Sequence, residues 1–154
     1  FDTAGQKFLR GVQTTDAQGA VRFMTIFPGW YRGRTVHIHF KIRTQTAGSA
    51  YEFTSQWYFD ETLNSKILAM PAYTRSGRRD TFNSTDGIFQ DGGPELMLAP
   101  TSGASGHAAA FSIGLDLSDA ATGRPDGMGG RGGRGPGRFS GPRRGGPPPP
   151  GGRE

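Results

Sequence analysis

Residues 28–41, Pro-Gly-Trp-Tyr-Arg-Gly-Arg-Thr-Val-His-Ile-His-Phe-Lys, crowd His37, His39, Tyr31, Arg32 and Arg34 into fourteen positions of a 154-residue chain that holds three histidines and four tyrosines in all. Within 36–42, Val36, Ile38, Phe40 and Ile42 alternate with His37, His39 and Lys41, which is the pattern of a strand whose two faces differ. Both imidazoles then point the same way. Alternate strand residues are about 7 Å apart at their backbones, so two rings can lean together onto one ion, each with a bond of about 2 Å. Tyr31 lies six residues before His37, past Gly29 and close to Gly33, where the chain can fold back and bring a phenolate to the same centre. Phenolate together with imidazole suits a hard, oxidised ion, and ligand chemistry favours Fe(III) over zinc. The plainer arrangement of the same residues is two half-exposed imidazoles and a turn aromatic.

The elements that must position these groups are strands. Helical periodicity is nearly absent, while period-2 segments bounded by Gly, Pro, Asn and Asp recur at the spacing of an all-β sandwich or barrel. The turn signal Asp16-Ala17-Gln18-Gly19 predicts a strand over 20–27, ended by Pro28-Gly29. The histidine strand is expected over 35–43 and, after a polar loop, should pair as a hairpin with 51–59. In that partner Tyr51, Phe53, Trp57 and Phe59 alternate with Glu52, Thr54, Gln56 and Tyr58. A short helix is expected before Pro71, a turn-rich loop around 83–87, a short strand at 96–98 and a last strand over 109–117. His107, between Gly106 and a run of alanines, reads as a loop histidine.

Composition divides the chain. Residues 123–154 hold 13 Gly, 7 Pro and 7 Arg, with Met128 and Phe139 the only sizeable apolar side chains, so this tail is expected to be disordered. Its arginines stand against Asp126 and Glu154, which accounts for the whole formal charge of +5. The basic pI near 10.1 therefore concerns the tail, and 1–122 is neutral and sized for one domain. No apolar run is long enough to suggest a membrane span, no leader pattern is visible, and the absence of cysteine excludes disulfides and thiolate metal sites. The compartment, cytoplasmic or exported, is left open.

Residues 9–42 carry Leu9-Arg10-Gly11, Thr15-Asp16-Ala17-Gln18-Gly19, then Phe23 through Tyr31, Gly33-Arg34 and His37-Ile38-His39, and Thr54 to Phe59 follow as Thr-Ser-Gln-Trp-Tyr-Phe. This set resembles the intradiol ring-cleavage dioxygenases, the catechol 1,2-dioxygenase and protocatechuate 3,4-dioxygenase relatives. The resemblance covers most of 1–122 and continues more loosely to about Leu117. It implies an antiparallel β-sandwich that holds one non-haem ferric ion with two tyrosinates, two histidines and a hydroxide. Tyr31 resembles the axial tyrosinate that leaves when substrate binds, His37 the axial histidine and His39 the equatorial one. Arg34 resembles the arginine that stabilises bound catecholate, and Gln56 the glutamine of the substrate pocket, with Trp30 expected beside them as a substrate contact.

In the implied chemistry Tyr31 and hydroxide take the two phenolic protons, O2 attacks an activated ring carbon, and acyl migration gives a cyclic anhydride that opens to a muconate-type diacid. The family's other tyrosine ligand belongs upstream of the segment matching Leu9-Arg10-Gly11, and neither Tyr51, Tyr58 nor Tyr73 sits at its place. The expectation is a domain lacking its N-terminal part, in residues 1–122. The expected partners are a catechol-type small molecule and O2, with a homodimer as an open assembly and no membrane. Nucleic acid enters only through the tail, whose Gly130-Arg131-Gly132-Gly133-Arg134-Gly135 resembles RNA-binding arginine-glycine repeats. The alternatives are thus RNA binding through that tail, or an inactive β-sandwich binding module. Read without the resemblance, Arg34 is a turn arginine, Gln56 a strand polar residue, and Trp57 and Phe59 core aromatics.

Overall fold

The computed structural model describes residues 5–6, 9–46 and 49–118. The tail read as disordered, 123–154, lies outside the described residues. Regular structure is mostly strand, in two small antiparallel sheets, with short helices between them. The larger sheet is the expected hairpin: β1, His37–Thr46, pairs with β2, Ser49–Tyr58. Its register sets His37 opposite Tyr58, His39 opposite Gln56 and Lys41 opposite Thr54. Cross-strand partners share a face, so Gln56 and Tyr58 lie beside the histidines. On the other face the Phe40 and Trp57 rings stack with centroids 4.1 Å apart.

Helix α1, Glu61–Leu68, follows directly and stands where a helix before Pro71 is expected. Asp60 caps it, its Oδ1 accepting from the Thr62 and Leu63 amides at 2.8 and 3.3 Å, and these bonds hold its carboxyl below the usual range. The loop expected around 83–87 leads into α2, Gly87–Gln90, capped in the same way by Asp86. At 96–98 the expected short strand is reduced to one parallel bridge between Met97 and Tyr58, preceded by a 3₁₀ turn, Gly93–Leu96.

Two expected strands do not form. Over 20–27 no strand ladder forms among the described residues: the Ala20 carbonyl accepts from the Asp16 amide at 2.9 Å within the turn, and Val21, Phe23, Ile26 and a fully exposed Met24 face solvent. Residues 109–117 likewise form no strand ladder among the described residues, although Phe111 rests against Trp57 with centroids 6.1 Å apart. Alternation says which side chains a strand would bury, but a strand exists only where a neighbour satisfies its N–H and C=O groups. Conversely β3, Thr101–Gly103, and β4, Gly106–Ala108, form a small hairpin in a segment with no apolar alternation.

Among the described residues, six of the buried apolar side chains fall into two clusters. Trp30, Val36 and Phe59 form one, with Phe27, Ile38, Leu63, Leu68 and Leu98 packed around it. Tyr58, Phe89 and Leu96 form the other, with Met97 and Phe111 against it. Phe89 meets Tyr58 edge-on at 5.0 Å, which ties α2 to the histidine-bearing face of the hairpin. Gly93 permits this contact, because a Cβ there would stand 2.6 Å from Phe89 Cδ2. Gly93→Ala is expected to cost about 1–3 kcal/mol through overpacking. In urea unfolding the midpoint should fall with little change in slope, and an unchanged midpoint would refute the packing argument.

Candidate metal centre

Strand alternation puts His37 and His39 on one face, and the turn before β1 brings Tyr31 to them. Tyr31 and Arg34 close this turn with an isolated bridge, and Gly33 at its apex has φ of +84°, a left-handed conformation that suits glycine. The Gly33 amide donates to Asp80 Oδ1 at 3.0 Å, which anchors the reversal. Tyr31 Oη then lies 3.3 Å from His37 Nε2, and His37 Nε2 lies 3.1 Å from His39 Nε2. Neighbouring ligands about 2 Å from a common ion are themselves separated by about 3 Å, so these spacings fit a shared coordination sphere. Among the described residues there is no group of three or more His, Cys, Asp or Glu that could hold a metal, and the third polar group at this face is the Tyr31 phenol.

The tautomer of His37 is fixed by its other ring nitrogen. Nδ1 lies 2.7 Å from the Thr35 carbonyl oxygen, which can only accept, so Nδ1 carries the proton and Nε2 presents a lone pair. Burial, opposed by that carbonyl and assisted by nearby Arg34 and His39, lowers its pKa to about 4. The imidazole is therefore neutral at pH 7. Tyr31 and His39 are exposed, so the centre has one open side.

Arg34 and Gln56 meet at the same face. Arg34 donates from Nε to Asp86 Oδ2 at 2.8 Å and from Nη2 to Gln56 Oε1 at 2.5 Å, and Gln56 Oε1 also accepts from the Tyr58 hydroxyl at 3.0 Å. Burial pushes the Tyr58 phenol pKa up, so it remains a hydrogen-bond donor. A guanidinium thus stands next to the histidine pair, fixed in its plane by two partners.

No family model, no curated protein and no solved structure was found to be similar to the chain. Its chemistry is read from the arrangement itself.

Of the residues singled out in the sequence, Tyr31, His37 and His39 come together, and Arg34 and Gln56 bond beside them. Trp30 goes elsewhere. Its ring is buried with Val36 and Phe59, the Arg75 guanidinium lies 4.4 Å over it, and it is a core residue where a substrate contact was expected. Successive residues of this turn point in opposite senses, and the large apolar indole takes the inward one. His107 lies exposed on β4, its Nδ1 3.3 Å from Ser102 Oγ, and takes no part.

Sequence reasoning overlooked Asp86. Its side chain is 1 % exposed, and Oδ2 accepts from Arg34 and from the Thr35 amide at 2.7 Å. Burial opposes its ionisation, but the Thr35 and Phe89 amides and the Arg34 guanidinium outweigh that and hold its carboxyl below the usual carboxylate range. Asn83 and Glu61 extend the network: Thr35 Oγ1 donates to Asn83 Oδ1 at 2.6 Å, and the Asn83 amide to Glu61 Oε1 at 2.7 Å. Glu61 also pairs with Arg79. The available signal was Asp86-Gly87 ahead of Ile88-Phe89, a helix cap before an apolar pair.

Proposed function

We propose that this chain carries the ferric site of an intradiol ring-cleavage dioxygenase, which opens a catechol-type ring between its two hydroxylated carbons with O2 to give a muconate-type diacid. The observation that carries the reading is the convergence of Tyr31 Oη, His37 Nε2 and His39 Nε2 at 3.1 and 3.3 Å. One phenol and two imidazoles, one of them with its tautomer fixed, suit Fe(III) in donor chemistry and spacing. On this reading the β1–β2 hairpin belongs to an antiparallel β-sandwich.

Tyr31, His37 and His39 would hold the iron, and the chemistry it would supply is a redox-active Lewis acid that makes the catecholate ring reactive toward O2. Tyr31 is exposed and reaches the centre from a turn, so its phenolate oxygen can swing out and accept one phenolic proton as substrate arrives. His37 stays in place, held by the Thr35 carbonyl and by burial. Arg34 sets a fixed positive charge beside the ring as negative charge develops there, and Gln56 keeps the guanidinium in that plane. Both atoms of O2 enter the product as the carbon–carbon bond between the oxygenated positions breaks.

The test is optical. Loaded with Fe(III) without oxygen, the chain should develop a visible tyrosinate-to-iron charge-transfer band that shifts when catechol is added. Admitting O2 should then release the diacid and restore the first spectrum. A chain that retains no iron and gives no catechol response would overturn the reading.

A further inference from the structure

Asp86 is a carboxylate with two separate duties. Oδ1 accepts from the Ile88 and Phe89 amides at 2.9 and 3.0 Å and starts α2, whereas Oδ2 accepts from Arg34 Nε at 2.8 Å and the Thr35 amide at 2.7 Å. The first pair is ordinary helix capping. The second pair reaches back across 52 and 51 residues of sequence to the turn that delivers the site.

What Oδ2 holds matters more than how tightly it is held. Arg34 is gripped at Nε by Asp86 and at Nη2 by Gln56, and two bonds from one planar group fix its orientation. Thr35 is gripped at its N–H, and the C=O of the same residue accepts the His37 Nδ1 proton at 2.7 Å. One buried oxygen therefore touches both the cation that would face the ring and the residue that sets a ligand's tautomer. Partners of this kind orient a ligand and tune it without touching the metal.

We propose that Asp86 is a positioning residue of this site, aligning the Arg34 guanidinium with the catechol ring and steadying His37 through Thr35. The proposal rests on the dioxygenase reading above. It separates from a purely structural role because asparagine is also a good helix cap. In Asp86→Asn the amide oxygen can keep the α2 amides, while an NH2 group facing Arg34 and Thr35 cannot accept from them.

The experiment uses the whole iron-loaded chain with catechol. Asp86→Asn should lower kcat about 10- to 100-fold, the range for loss of an outer partner, with a much smaller change in KM. In an Arg34→Met background the same substitution should lower kcat no more than about 3-fold, because most of its effect passes through Arg34. Gly93→Ala, which loosens α2 without touching Oδ2, should shift the urea midpoint but leave kcat within about 2-fold. In the metal-free chain the Arg34 Nε–H resonance should exchange slowly with water and should lose that protection in Asp86→Asn. A parent-like kcat in Asp86→Asn, or an equal loss in both backgrounds, would overturn the proposal and leave the dioxygenase reading standing. A parent chain with no catechol response would overturn both.

Discussion

Replacing His39 by alanine is expected to abolish ferric binding while leaving the fold almost intact. The imidazole is exposed on β1, so its removal opens no cavity and should change stability by no more than about 0.5 kcal/mol. Metal affinity should nonetheless fall by more than about 100-fold, since loss of an outer partner alone costs 10- to 100-fold and His39 would be a ligand. His37→Ala should lose iron to a similar extent but also weaken the fold. His37 is buried, and its loss leaves the Thr35 carbonyl without its partner, a cost of about 1–3 kcal/mol. The contrast is the test, since a structural pair of histidines would show the stability difference without the shared metal effect. Iron bound per chain after gel filtration, with urea unfolding of the metal-free variants, measures both. Stoichiometric iron in His39→Ala would remove this residue from the site.

The sequence was informative where one local pattern settled one local question. Alternation over 36–42 placed both histidines on a common face, and the apolar stripe of the following strand placed Gln56 opposite it, which the register of β1 with β2 turns into proximity. Gly33 marked the reversal that returns Tyr31. Where the question was non-local, the same signals fell short. Residues 20–27 have the alternation of a strand, yet pairing depends on a neighbour that alternation does not name. Trp30 and Tyr31 are adjacent aromatics, and only packing decides that the indole is buried while the phenol faces the histidines. Asp86 looked like one more turn former among Asn83, Ser84, Thr85 and Gly87, and its role appears only when the fold brings it to Arg34. A buried acid needs a cation, but the sequence offers many arginines and does not say which one arrives.

Replacing that arginine should have the second large effect, and the choice of substituent separates charge from geometry. Arg34→Lys keeps a positive charge but replaces the planar fork with a point charge that cannot hold both Asp86 and Gln56 in one plane. Turnover should fall about 10²- to 10³-fold, the usual loss when one preorganised stabilising group is removed, while iron binding is kept. Arg34→Met should lose at least as much turnover and also destabilise the fold, by about 1–3 kcal/mol at pH 7, because Asp86, its side chain 1 % exposed, loses its cation and keeps only the Thr35, Ile88 and Phe89 amides. The pH dependence follows from the low carboxyl pKa of Asp86 in the folded chain. A depressed folded pKa contributes stability that is fully present above the unfolded value, near 3.9, and is lost as pH falls through the folded one. The gap between Arg34→Met and the parent should thus be full at pH 7 and narrow below about pH 4, as the buried carboxylate takes up a proton and no longer needs the guanidinium. Urea unfolding at pH 7 and pH 3.5 reads this directly. A gap that stayed constant across that range would mean that Arg34 supports the fold by packing rather than by pairing with Asp86. Wild-type turnover in Arg34→Lys would mean that a cation anywhere near the ring is enough, and the fixed plane of the guanidinium would lose its role.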